Sequence, residues 1–568
     1  MKKILSQLLP AFENNVVAVD GSLIKDLSEI QNIPVTNLVF DSRQVEKDSL
    51  FFALPGTHTD GNRFIAQAIL SGANAIIFQG ILTKDQQNEV AKAIISRTMD
   101  NMLGDESFKY APVLINVPDA RFSMAPVSAR FYDNPSERLV VIGVTGTEGK
   151  SSTVSFIWQL LRACGKKAGF ISTVEYSMGG DALPNPQHQT TPEAPVIQHH
   201  LNEMLENGCE YAVVETSSHG LSTKLNRCGN IIFDCGVFMN VTLEHLEFHK
   251  NFETYRSDKA NLFRALDKHN HVKTIAGISR KINSIGIVNL EDKSAEFFAN
   301  CTKQPVFGFT SLGKAGKTAT STENEDTELP AIPQCIKYMT ALNINSTSTS
   351  LTFDILTPEN ETISVSSSLP GAFNAYNLMA SVFAVSSVTE LSYSEVASKI
   401  PELVPIKGRM TEITEGQPFE VIVDYAHTPS SFETIFPPIR KRCKGKMICL
   451  FGSGGERDLT KRPLQGEIAA KYCDIIILAD EDPRNEDPVE LLKMIAAGAE
   501  KGGKIMNQNL FIIHERQKAI REAFKMAQSD DIVLLLGKSH ENSIIYKDFV
   551  MPYDEISEAK TAIAEMKN

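Results

Sequence analysis

The sequence predicts an α/β protein built mostly on parallel sheets. Strand-like and helical segments alternate along almost the whole chain of 568 residues, which is typical of strands joined by covering helices. A short apolar run, Leu139 to Val144, passes through a glycine-rich turn directly into a helical segment. The chain after residue 405 adds five short apolar runs, four of which end in polar clusters. Open parallel sheets bind ligands beyond the carboxyl ends of their strands, so these clusters indicate a functional site.

The chain is too long for a single core, and about three or four domains are expected. Changes in pattern divide it into three blocks, which we place at residues 1–137, 138–404 and 405–568. A content of 42% hydrophobic and 22% charged residues is that of an ordinary soluble protein. The net charge of −13, without a basic stripe, argues against nucleic-acid binding.

The sequence carries little sign of targeting to a membrane or to the cell exterior. Met1 to Pro10 faintly resembles a signal peptide, but its apolar part is short and broken by polar residues. No apolar run approaches the length of a membrane span. Nine cysteines are scattered without a CxxC pair or zinc-ligand spacing, which favours free thiols in a reducing compartment. We therefore expect a cytoplasmic monomer.

The first block combines short turn motifs with one strand-like run. It contains Asp41-Ser-Arg43, the apolar run Leu50 to Leu54, and a turn-rich stretch from Pro55-Gly56 through Asp60-Gly61. The polar stretch from Thr83 to Tyr110 predicts a helical insertion on this block.

The second block opens with a segment that can hold a triphosphate. Val141 to Thr153 predicts a strand, a glycine-rich turn and a helix N-terminus, with Gly165 ending the helix. This arrangement aims backbone N–H groups and the positive end of a helix dipole at one point, where Lys150 adds a full charge. Ser151 follows where a phosphate-binding loop needs a hydroxyl for magnesium. Val144 stands where the usual pattern has a glycine, and a turn without chemistry is the alternative interpretation.

Two further patterns in this block suggest metal chemistry. A predicted buried strand, Tyr211 to Val214, delivers Glu215 at its end, and a carboxylate near a phosphate loop is a natural magnesium ligand. The apolar run Phe233 to Val241 ends in a polar, histidine-containing segment. A following helix carries Lys259 on the same face as two aromatic residues. Alone, these two side chains would be a solvated acid and a surface lysine.

The third block supplies the strand-end clusters mentioned above. The apolar runs are Val421–Val423, Met447–Phe451, Ile475–Leu478, Leu510–Ile513 and Ile532–Leu536. The polar clusters are Asp424-Tyr-Ala-His427, Gly452-Ser-Gly-Gly-Glu-Arg-Asp458, Asp480-Glu-Asp-Pro-Arg484 and Gly537-Lys-Ser-His-Glu541.

These segments resemble the motifs of the Mur ligase superfamily. Thr145 to Ser152 resembles its ATP loop TGTNGKT, with Glu148 in place of asparagine, and Glu215 to Leu221 resembles EVSSHGL. Asn240 to His249 is similar to N-x-x-x-DHLDYH, with Glu244 and Glu247 replacing the aspartates. Tyr255-Arg-Ser-Asp-Lys259 matches Y-x-x-x-K, whose lysine is carbamylated in the family. The resemblance implies a three-domain Mur ligase architecture, with a P-loop central ATPase domain and a Rossmann-like C-terminal domain.

The resemblance also implies the chemistry: an ATP-dependent amide ligase that forms an acyl phosphate and requires Mg²⁺. ATP would contact Gly146, Thr147, Glu148, Gly149, Lys150, Ser151, Ser152, Asn377, Arg409 and Asp424. Catalysis would rest on Lys150, Glu215, His245 and Lys259. The metal ligands would be Ser151, Glu215, His245 and carbamylated Lys259.

The first block and the strand-end clusters resemble the MurE branch, the UDP-MurNAc-tripeptide synthetases. The resemblance implies that residues 1–137 bind the uridine nucleotide of UDP-MurNAc-L-Ala-D-Glu, with Ser42 and Arg43 near the diphosphate. The dipeptide would contact Thr190, Thr191, Ser217 and Arg227. The incoming amino acid would contact Arg457, Asp482, Arg484, Gly537 and Glu541.

The identity of the amino acid is the open point. Diaminopimelate-adding enzymes read DNPR, whereas Glu481-Asp-Pro-Arg484 stands here, and Ser539 replaces a glycine of GKGHE. The extra carboxylate at Asp482 suits a side-chain ammonium better than a second carboxylate. We therefore favour a diamino acid of the lysine or ornithine type, with meso-diaminopimelate as the alternative. A folylpolyglutamate synthase-like ligase and a non-catalytic P-loop nucleotide-binding regulator are the competing functions.

Overall fold

The computed structural model of the chain describes residues 1–30, 32–56, 60–102, 109–186, 189–242, 246–312 and 337–566. Within these ranges three larger sheets follow one another along the chain, with five, eleven and six strands. Each sheet packs apolar side chains against the helices on its faces. The predicted α/β class with mostly parallel sheets is confirmed. The three sheets follow the order of the three predicted blocks, whose boundaries stay predictions.

The first sheet is parallel apart from one edge strand. Its order is β2-β7-β6-β5-β4, and β2 runs antiparallel to β7, while β1 and β3 form a separate antiparallel pair. The strands are β1 (Lys3–Ile4), β2 (Asn15–Val17), β3 (Pro34–Val35), β4 (Asn37–Val39), β5 (Ser49–Ala53), β6 (Ala73–Gln79) and β7 (Val113–Val117). The helices are α1 (Leu5–Leu8), α2 (Ile65–Leu70), α3 (Lys84–Met102) and α4 (Ala120–Phe131). The helix predicted in the insertion from Thr83 to Tyr110 is present as α3, and residues 103–108 lie outside the described ranges.

The second sheet has a parallel centre with antiparallel margins. The strands are β8 (Val140–Thr145), β9 (Ala168–Ile171), β10 (Glu175–Ser177), β11 (Leu183–Pro184), β12 (Tyr211–Glu215), β13 (Cys235–Phe238), β14 (Val272–Ile275), β15 (Ile278–Lys281), β16 (Ile285–Asn289), β17 (Val306–Thr310), β18 (Lys337–Ser346), β19 (Leu351–Leu356) and β20 (Thr362–Ser367). The order is β11-β10-β9-β12-β8-β13-β16-β17-β18-β19-β20, and β14 pairs only with β15 among the described strands. Strand β8 therefore lies inside the sheet, parallel to both of its neighbours.

The helices of this part cover the second sheet. They are α5 (Lys150–Ala163), α6 (Ala194–Glu206), α7 (Ser218–Leu221), α8 (Leu246–His249), α9 (Phe252–Ala265), α10 (Ala295–Ala299), α11 (Asn374–Thr389) and α12 (Tyr393–Ala397). Helix α5 buries Val154, Ile157 and Leu161 completely, as their helical spacing predicts. Gly165 has φ +74° just beyond the helix end, where the sequence predicted the stop.

The third sheet confirms the five predicted apolar runs as strands. They are β22 (Glu420–Asp424), β23 (Met447–Phe451), β24 (Ile475–Leu478), β25 (Leu510–Ile512) and β26 (Ile532–Leu536), joined by β21 (Thr411–Glu412) and the hairpin β27 (Ser543–Ile545) and β28 (Val550–Pro552). The order β21-β22-β26-β23-β24-β25 places all five side by side and parallel. The helices are α13 (Pro429–Arg442), α14 (Lys461–Tyr472), α15 (Pro488–Lys501), α16 (Arg516–Met526) and α17 (Glu555–Glu565).

The second and third sheets direct the carboxyl ends of their strands towards one another. The carboxyl end of β12 and the segments that follow β8, β22, β23, β24 and β26 all reach a single cavity of about 480 Å³. None of the helices in the described ranges is both long and apolar enough to cross a membrane.

Candidate active site

The cavity between the second and third sheets contains most of the predicted functional residues. From the central part of the chain it is lined by Thr147, Glu148, Gly149, Lys150, Ser151, Thr173, Thr190 and Glu215. From the C-terminal part it is lined by Arg409, Tyr425, His427, Thr428, Arg457, Glu481, Asp482, Arg484, His540 and Glu541. The four strand-end clusters of the third block thus meet the phosphate loop in one space, as parallel sheets lead one to expect.

The phosphate loop is held in a conformation that only a small residue tolerates. Gly149 has φ +79°, and a Cβ there would lie 2.8 Å from Oδ1 of Asn377. Asn377 is buried beneath the loop, where its Oδ1 accepts a 3.3 Å hydrogen bond from the Thr153 hydroxyl. The next residue begins α5, whose first N–H groups have no acceptor within the helix. The loop is therefore built to receive an anion at the mouth of α5.

A second brace comes from the segment after β13. Asn240 accepts from the backbone N–H groups of Thr147 and Glu148 at 3.1 and 2.8 Å. Lys150 Nζ donates to the Thr147 carbonyl at 2.8 Å. Its charge is thus held by a neutral acceptor beside the loop, which a phosphate can replace.

The predicted magnesium ligands Ser151 and Glu215 are in direct contact. The Ser151 hydroxyl donates to Glu215 Oε1 at 3.1 Å, and Thr173 donates to both carboxylate oxygens at 2.9–3.0 Å. Ser172 adds a fourth donor at 2.7 Å. A buried carboxylate beside three hydroxyls is the hard-oxygen environment that Mg²⁺ prefers, so these residues fit the metal that the sequence implies.

Lys259 lies below the loop on α9. It is 2% exposed, its Nζ donates to the Gly146 carbonyl at 2.6 Å, and it lies 4.6 Å from the ring centre of Tyr255. The ring hydroxyl of Tyr255 is 3.1 Å from Thr147 Oγ1. Lys259 is therefore a buried residue and not the surface lysine of the alternative interpretation.

Parts of the predicted metal segment lie outside the described residues. His245 and Glu244 fall in the gap at 243–245, and the side chain of Glu247 is not described. His249 is buried and pairs with Asp258 at 2.8 Å and with Ser218 at 3.0 Å. It serves as a link between α7 and α9.

Three contacts join the central and C-terminal parts across the cavity. Arg409 Nη2 donates to Ser151 Oγ at 3.3 Å. Glu148 Oε1 accepts from the hydroxyl of Thr428, which caps α13, at 2.8 Å. Thr242 and Ser430 approach at 3.2 Å between their hydroxyl oxygens. The residue that departs from the TGTNGKT motif, Glu148, is thus used in an interblock contact.

Asp424 lies beside the cavity, beneath its wall. Its carboxylate accepts from the backbone N–H groups of Met410 and Ala426, both at 2.8 Å. Burial raises the pKa of Asp424, and Arg409 opposes the rise. The side chain fixes the segment that carries Arg409, and its predicted contact with a ribose stays a prediction.

The far end of the cavity contains a buried group of three charges. Lys538 is fully buried, and its Nζ donates to Asp482 Oδ1 at 2.8 Å and to Glu541. Burial lowers the pKa of Lys538, but the two carboxylates outweigh it and raise the pKa above its usual value. Burial and Asp482 raise the pKa of Glu541. One cation therefore serves two of the predicted amino-acid ligands.

The remaining predicted amino-acid ligands surround this group. Arg484 lines the cavity with a φ of +56°, and Arg457 also lines it. Gly537 has φ +95°, and a Cβ there would lie 2.8 Å from Glu481 Oε2. Glycine at this position therefore allows the Glu481 carboxylate to pack against the backbone.

The residues predicted to contact the dipeptide lie at a third side of the cavity. Thr190 lines the cavity, while Thr191 is buried behind it and donates to the Glu215 carbonyl at 3.0 Å. Ser217 caps α7. Arg227 donates to the Thr191 carbonyl at 3.0 Å and pairs with Glu193 at 2.9 Å. The four residues therefore lie close together, although only Thr190 reaches the cavity wall.

The predicted uridine-nucleotide residues lie apart from this cavity. Ser42 and Arg43 lie in a 3₁₀ turn capped by Asp41. The Arg43 side chain is 85% exposed and pairs with Asp41 at 2.7 Å. The structure leaves both accessible to a ligand bound at the first sheet.

Comparisons with known proteins agree with this geometry. Residues 34–121 match the model "Mur ligase family, catalytic domain", residues 144–385 match "Mur ligase middle domain", and residues 408–539 match "Mur ligase, glutamate ligase domain". A protein of Treponema denticola named UDP-N-acetylmuramyl-tripeptide synthetase is 49% identical over 564 residues, covering 98% of this chain and 97% of the relative. The chain belongs to the MurE branch of the Mur ligase family.

Two further similarities place the chain within the family. A protein of Geobacillus thermodenitrificans named UDP-N-acetylmuramoyl-L-alanyl-D-glutamate--2,6-diaminopimelate ligase is 32% identical, covering 94% of this chain and 96% of the relative. A solved structure of a ligase of that name aligns with a TM-score of 0.58 and 22% identity, covering 100% of both chains. The three-domain Mur ligase architecture is therefore confirmed.

One departure from the Mur ligase motifs has a clear structural reason. Ser539 stands at the glycine of GKGHE and keeps the left-handed backbone, with φ +47°. Its hydroxyl donates to the Gly408 carbonyl, and Gly408 leaves no room for a Cβ beside it. The serine thus ties the amino-acid end of the cavity to the segment that carries Arg409.

Sequence reasoning missed several residues of this Mur ligase cavity. Thr428 and Ser430 form two of the three interblock contacts, Lys538 pairs with two carboxylates, and Glu481 lines the wall. All four residues lie within or beside the Mur ligase motifs of the sequence. Sequence alone does not reveal which of several polar neighbours in a motif points into a cavity.

Proposed function

We propose that this Mur ligase is an ATP-dependent peptide synthase that joins a free diamino acid to UDP-MurNAc-L-Ala-D-Glu in peptidoglycan precursor synthesis. The names of its relatives over nearly the full chain support this function. The observation that carries it is the single cavity, in which a phosphate loop faces an amino-acid-sized end rich in paired charges. A nucleotide and an amino acid can meet there.

The proposed reaction has two steps. A carboxylate oxygen of the dipeptide attacks the γ-phosphorus of ATP, which forms an acyl phosphate and releases ADP. The amine of the diamino acid then attacks the acyl carbon, loses a proton and expels phosphate, which leaves an amide bond. The first step brings two anions together, so positive groups must neutralise them and align the attack.

The residues of the loop meet this need. Lys150 and Arg409 are held by neutral oxygens at the loop, at 2.8 and 3.3 Å. Both can turn to phosphate oxygens without breaking an ion pair. Ser151 and Glu215 would hold Mg²⁺, which would supply further neutralisation of the phosphates.

Lys259 has the position for a carbamate that supports a second metal. Its Nζ lies 2.6 Å from the Gly146 carbonyl and next to Tyr255, which contacts Thr147. Reaction of the neutral amine with carbon dioxide would replace this cation with an anion below the loop. His245 is the proposed partner ligand, outside the described residues.

We retain the lysine or ornithine type as the favoured diamino acid. Asp482, Lys538 and Glu541 carry one negative charge together, because one ammonium serves two carboxylates. This residual charge favours a substrate side chain that ends in an ammonium over one that ends in a carboxylate. Arg484 is the proposed contact of a carboxylate, so meso-diaminopimelate remains the second candidate.

The two competing functions have weaker support. A folylpolyglutamate synthase does not account for the match of residues 34–121 or for tripeptide synthetases that cover the whole chain. A regulator without catalysis does not account for the contact between Ser151 and Glu215 in a cavity that also contains Lys150. We further propose that the enzyme acts as a cytoplasmic monomer, where ATP and nucleotide-linked sugars are available.

The test is phosphate release from ATP by the purified protein with UDP-MurNAc-L-Ala-D-Glu. Lysine, ornithine and meso-diaminopimelate are added in separate reactions, and the product mass is measured. We expect turnover and an added mass for one of them, with no phosphate released when the dipeptide is omitted. ATP binding without turnover in any reaction would refute the proposed function.

A further inference from the structure

A second cleft lies in the central part of the chain, at the opposite edge of the sheet from the phosphate loop. Its volume is about 840 Å³, and it opens where the parallel strands β16 and β17 begin. The turn between β19 and β20 and the segment that joins α11 to α12 form its other walls. The residues that line it all differ from those that line the active-site cavity. We call it the acidic cleft, because Glu359, Glu361, Glu390 and Glu395 line it.

The acidic cleft contains more negative than positive charge. Its four carboxylates come from two walls, two from the turn before β20 and two from the segment around the start of α12. Lys281 is the single lysine or arginine among the described residues that line it, and its Nζ donates to the backbone carbonyl of Asn270. His271 also lines the cleft, but Asp234 occupies its Nδ1 at 3.0 Å. A cation that enters the cleft therefore meets an excess of carboxylates.

The carboxylates of the acidic cleft are available to a ligand. Within the described ranges, Glu361 and Glu390 are exposed and form no ion pair. Glu359 lies 4.0 Å from Lys337, with both side chains more than half exposed, and such a pair contributes little. Glu395 accepts hydrogen bonds from the residue that caps α12, and this contact lowers its pKa, so it keeps its negative charge.

The inner wall adds two polar groups that lack partners. Ser284 and Ser386 line the cleft and are 6% and 7% exposed, and neither hydroxyl has a hydrogen-bond partner. Buried hydroxyls are usually paired, so two unpaired ones in one cleft indicate a polar ligand. Ser386 lies in the last turn of α11, where the C-terminal carbonyls carry the negative end of the helix dipole. The ligand that suits this end of a helix is a cation.

The acidic cleft also has an aromatic surface. Phe307 and Tyr393 line it, and their ring centres lie 5.6 and 5.4 Å from that of Phe383. Burial raises the pKa of Tyr393 to about 12, and Glu359 adds to the rise, which places this carboxylate near the ring. Methylene groups pack on such a surface, and an ammonium group is attracted to the face of an aromatic ring.

The arrangement of the carboxylates suits an organic cation better than a metal ion. Among the described residues, no group of three or more His, Cys, Asp or Glu side chains is arranged to hold a metal. Charges spread around an aromatic cleft suit a ligand whose own charges are separated by hydrocarbon. We propose that the acidic cleft binds a linear polyamine, an aliphatic chain with two or more ammonium groups. The ammonium groups pair with carboxylates of both walls, and the methylene groups pack on Phe307 and Tyr393.

Helix α11 connects this site to the phosphate loop. Near its start, Asn377 lies beneath the loop and accepts a hydrogen bond from the Thr153 hydroxyl, and its last turn carries Ser386. Its 16 residues span about 24 Å at 1.5 Å per residue. A polyamine in the acidic cleft is therefore far from the phosphate loop, in the position of an effector and not of a substrate. Binding there does not depend on the proposed reaction.

Titration calorimetry of the whole purified protein with spermidine, without ATP, tests the proposal. We expect spermidine to bind at least about tenfold more tightly than butylamine, which has a single ammonium. Glu359→Gln combined with Glu390→Gln removes one carboxylate from each wall and should weaken spermidine binding by about 5- to 30-fold. Tyr393→Leu should weaken it by about two- to fivefold, because the aromatic face is lost.

The matched control is Glu46→Gln combined with Glu500→Gln. It removes two exposed carboxylates elsewhere and makes the same change in net charge, so it should bind spermidine as the wild type does. Equal weakening in the two double variants, or equal affinity of the wild type for spermidine and butylamine, would overturn the proposal. Absence of spermidine binding to the wild type would overturn it as well, and binding of tetralysine in that case would point to a basic peptide instead.

Discussion

The two ends of the cavity balance their charges in different ways. At the phosphate loop, Lys150 and Arg409 donate to neutral oxygens of Thr147 and Ser151. At the amino-acid end, Lys538 forms ion pairs with both Asp482 and Glu541. The first arrangement leaves positive charge available to an anionic ligand, whereas in the second the cation is already paired with carboxylates of the protein.

This difference separates two tasks. Phosphates approach as strong anions, so the loop needs cations that change partners easily. A zwitterionic amino acid needs fixed charges of both signs in exact register, which a buried ion-paired group provides. Substitutions at the loop should therefore reduce the rate, whereas those at the far end should alter stability or the choice of amino acid.

The largest effect is expected for Lys150→Ala. Removal of a cation that stabilises the transferring phosphoryl group should reduce kcat by about 1,000-fold or more. Steady-state phosphate release measures this, with the exposed Lys167→Ala as a control. A variant that keeps a tenth of the wild-type rate would show that the loop does not use this charge.

Lys538→Met should affect stability most at the opposite end. It leaves Asp482 and Glu541 buried without a cation, which should lower the free energy of unfolding by about 3–5 kcal/mol. Urea titration checks this against Lys501→Met, whose side chain is 74% exposed. A loss below about 1 kcal/mol would contradict the charge balance described for this group.

The stability difference between the wild type and Lys538→Met should also depend on pH, and the pKa of Lys538 gives the direction. In the folded wild type the pKa of Lys538 is raised, so its contribution is present below the unfolded pKa and disappears only as the pH rises through the folded value. In the methionine variant the two carboxylates are unpaired, and protonation relieves them. The stability gap should therefore narrow as the pH falls from about 7 to 5.

Lys259→Ala should reduce kcat by about 100-fold if a carbamate on this side chain supports a metal. Short carboxylic acids should restore part of the activity, because they supply the missing anion below the loop. The exposed Lys268→Ala serves as a control and should show neither effect. Activity near the wild-type level without added acid would exclude the carbamate role.

Arg484→Met should raise the KM for the amino acid by about 10- to 100-fold, since it removes a forked donor for a carboxylate. The KM for ATP should stay unchanged, because the phosphate loop lies at the other end of the cavity. Initial rates at varied amino-acid concentration measure both constants. An equal change in the two constants would indicate a general structural role instead.

The smallest effect is expected for Glu148→Asn. The substitution removes a negative charge beside the phosphates and leaves an acceptor for the Thr428 hydroxyl, now 2.8 Å from the carboxylate. Affinity for ATP should increase by about two- to fivefold, the range of a partly exposed charge pair. Titration calorimetry measures the affinity for ATP. An unchanged affinity would show that the charge of Glu148 does not weaken ATP binding.

The sequence predicts the fold and the location of the cavity better than the pairing inside it. The apolar runs of the third block became β22 to β26 almost residue for residue, because a short buried run flanked by polar clusters has few other solutions. The run Phe233 to Val241 gave a shorter strand, Cys235–Phe238, because Asn240 near its C-terminal end turns to accept hydrogen bonds from the phosphate loop.

Charge pairing escaped prediction because it depends on distances between motifs. Asp482 was interpreted as a free partner for an ammonium, whereas Lys538 from a distant motif donates to it at 2.8 Å. Glu148 stands out in the sequence only as the replacement of an asparagine in the ATP loop, whereas in the structure its contact with Thr428 spans the cavity. Hydrophobic periodicity identifies the strands that carry such residues, but it does not show which side chains of different motifs contact one another.

The central claim is that the cavity transfers phosphate from ATP to a carboxylate before the amide forms. The most direct measurement uses UDP-MurNAc-L-Ala-D-Glu with ¹⁸O in its D-Glu carboxylates, followed by mass analysis of the released phosphate. An acyl phosphate predicts one labelled oxygen in each phosphate, together with the peptide product. Released phosphate without label, in a reaction that still forms the peptide bond, would contradict this account.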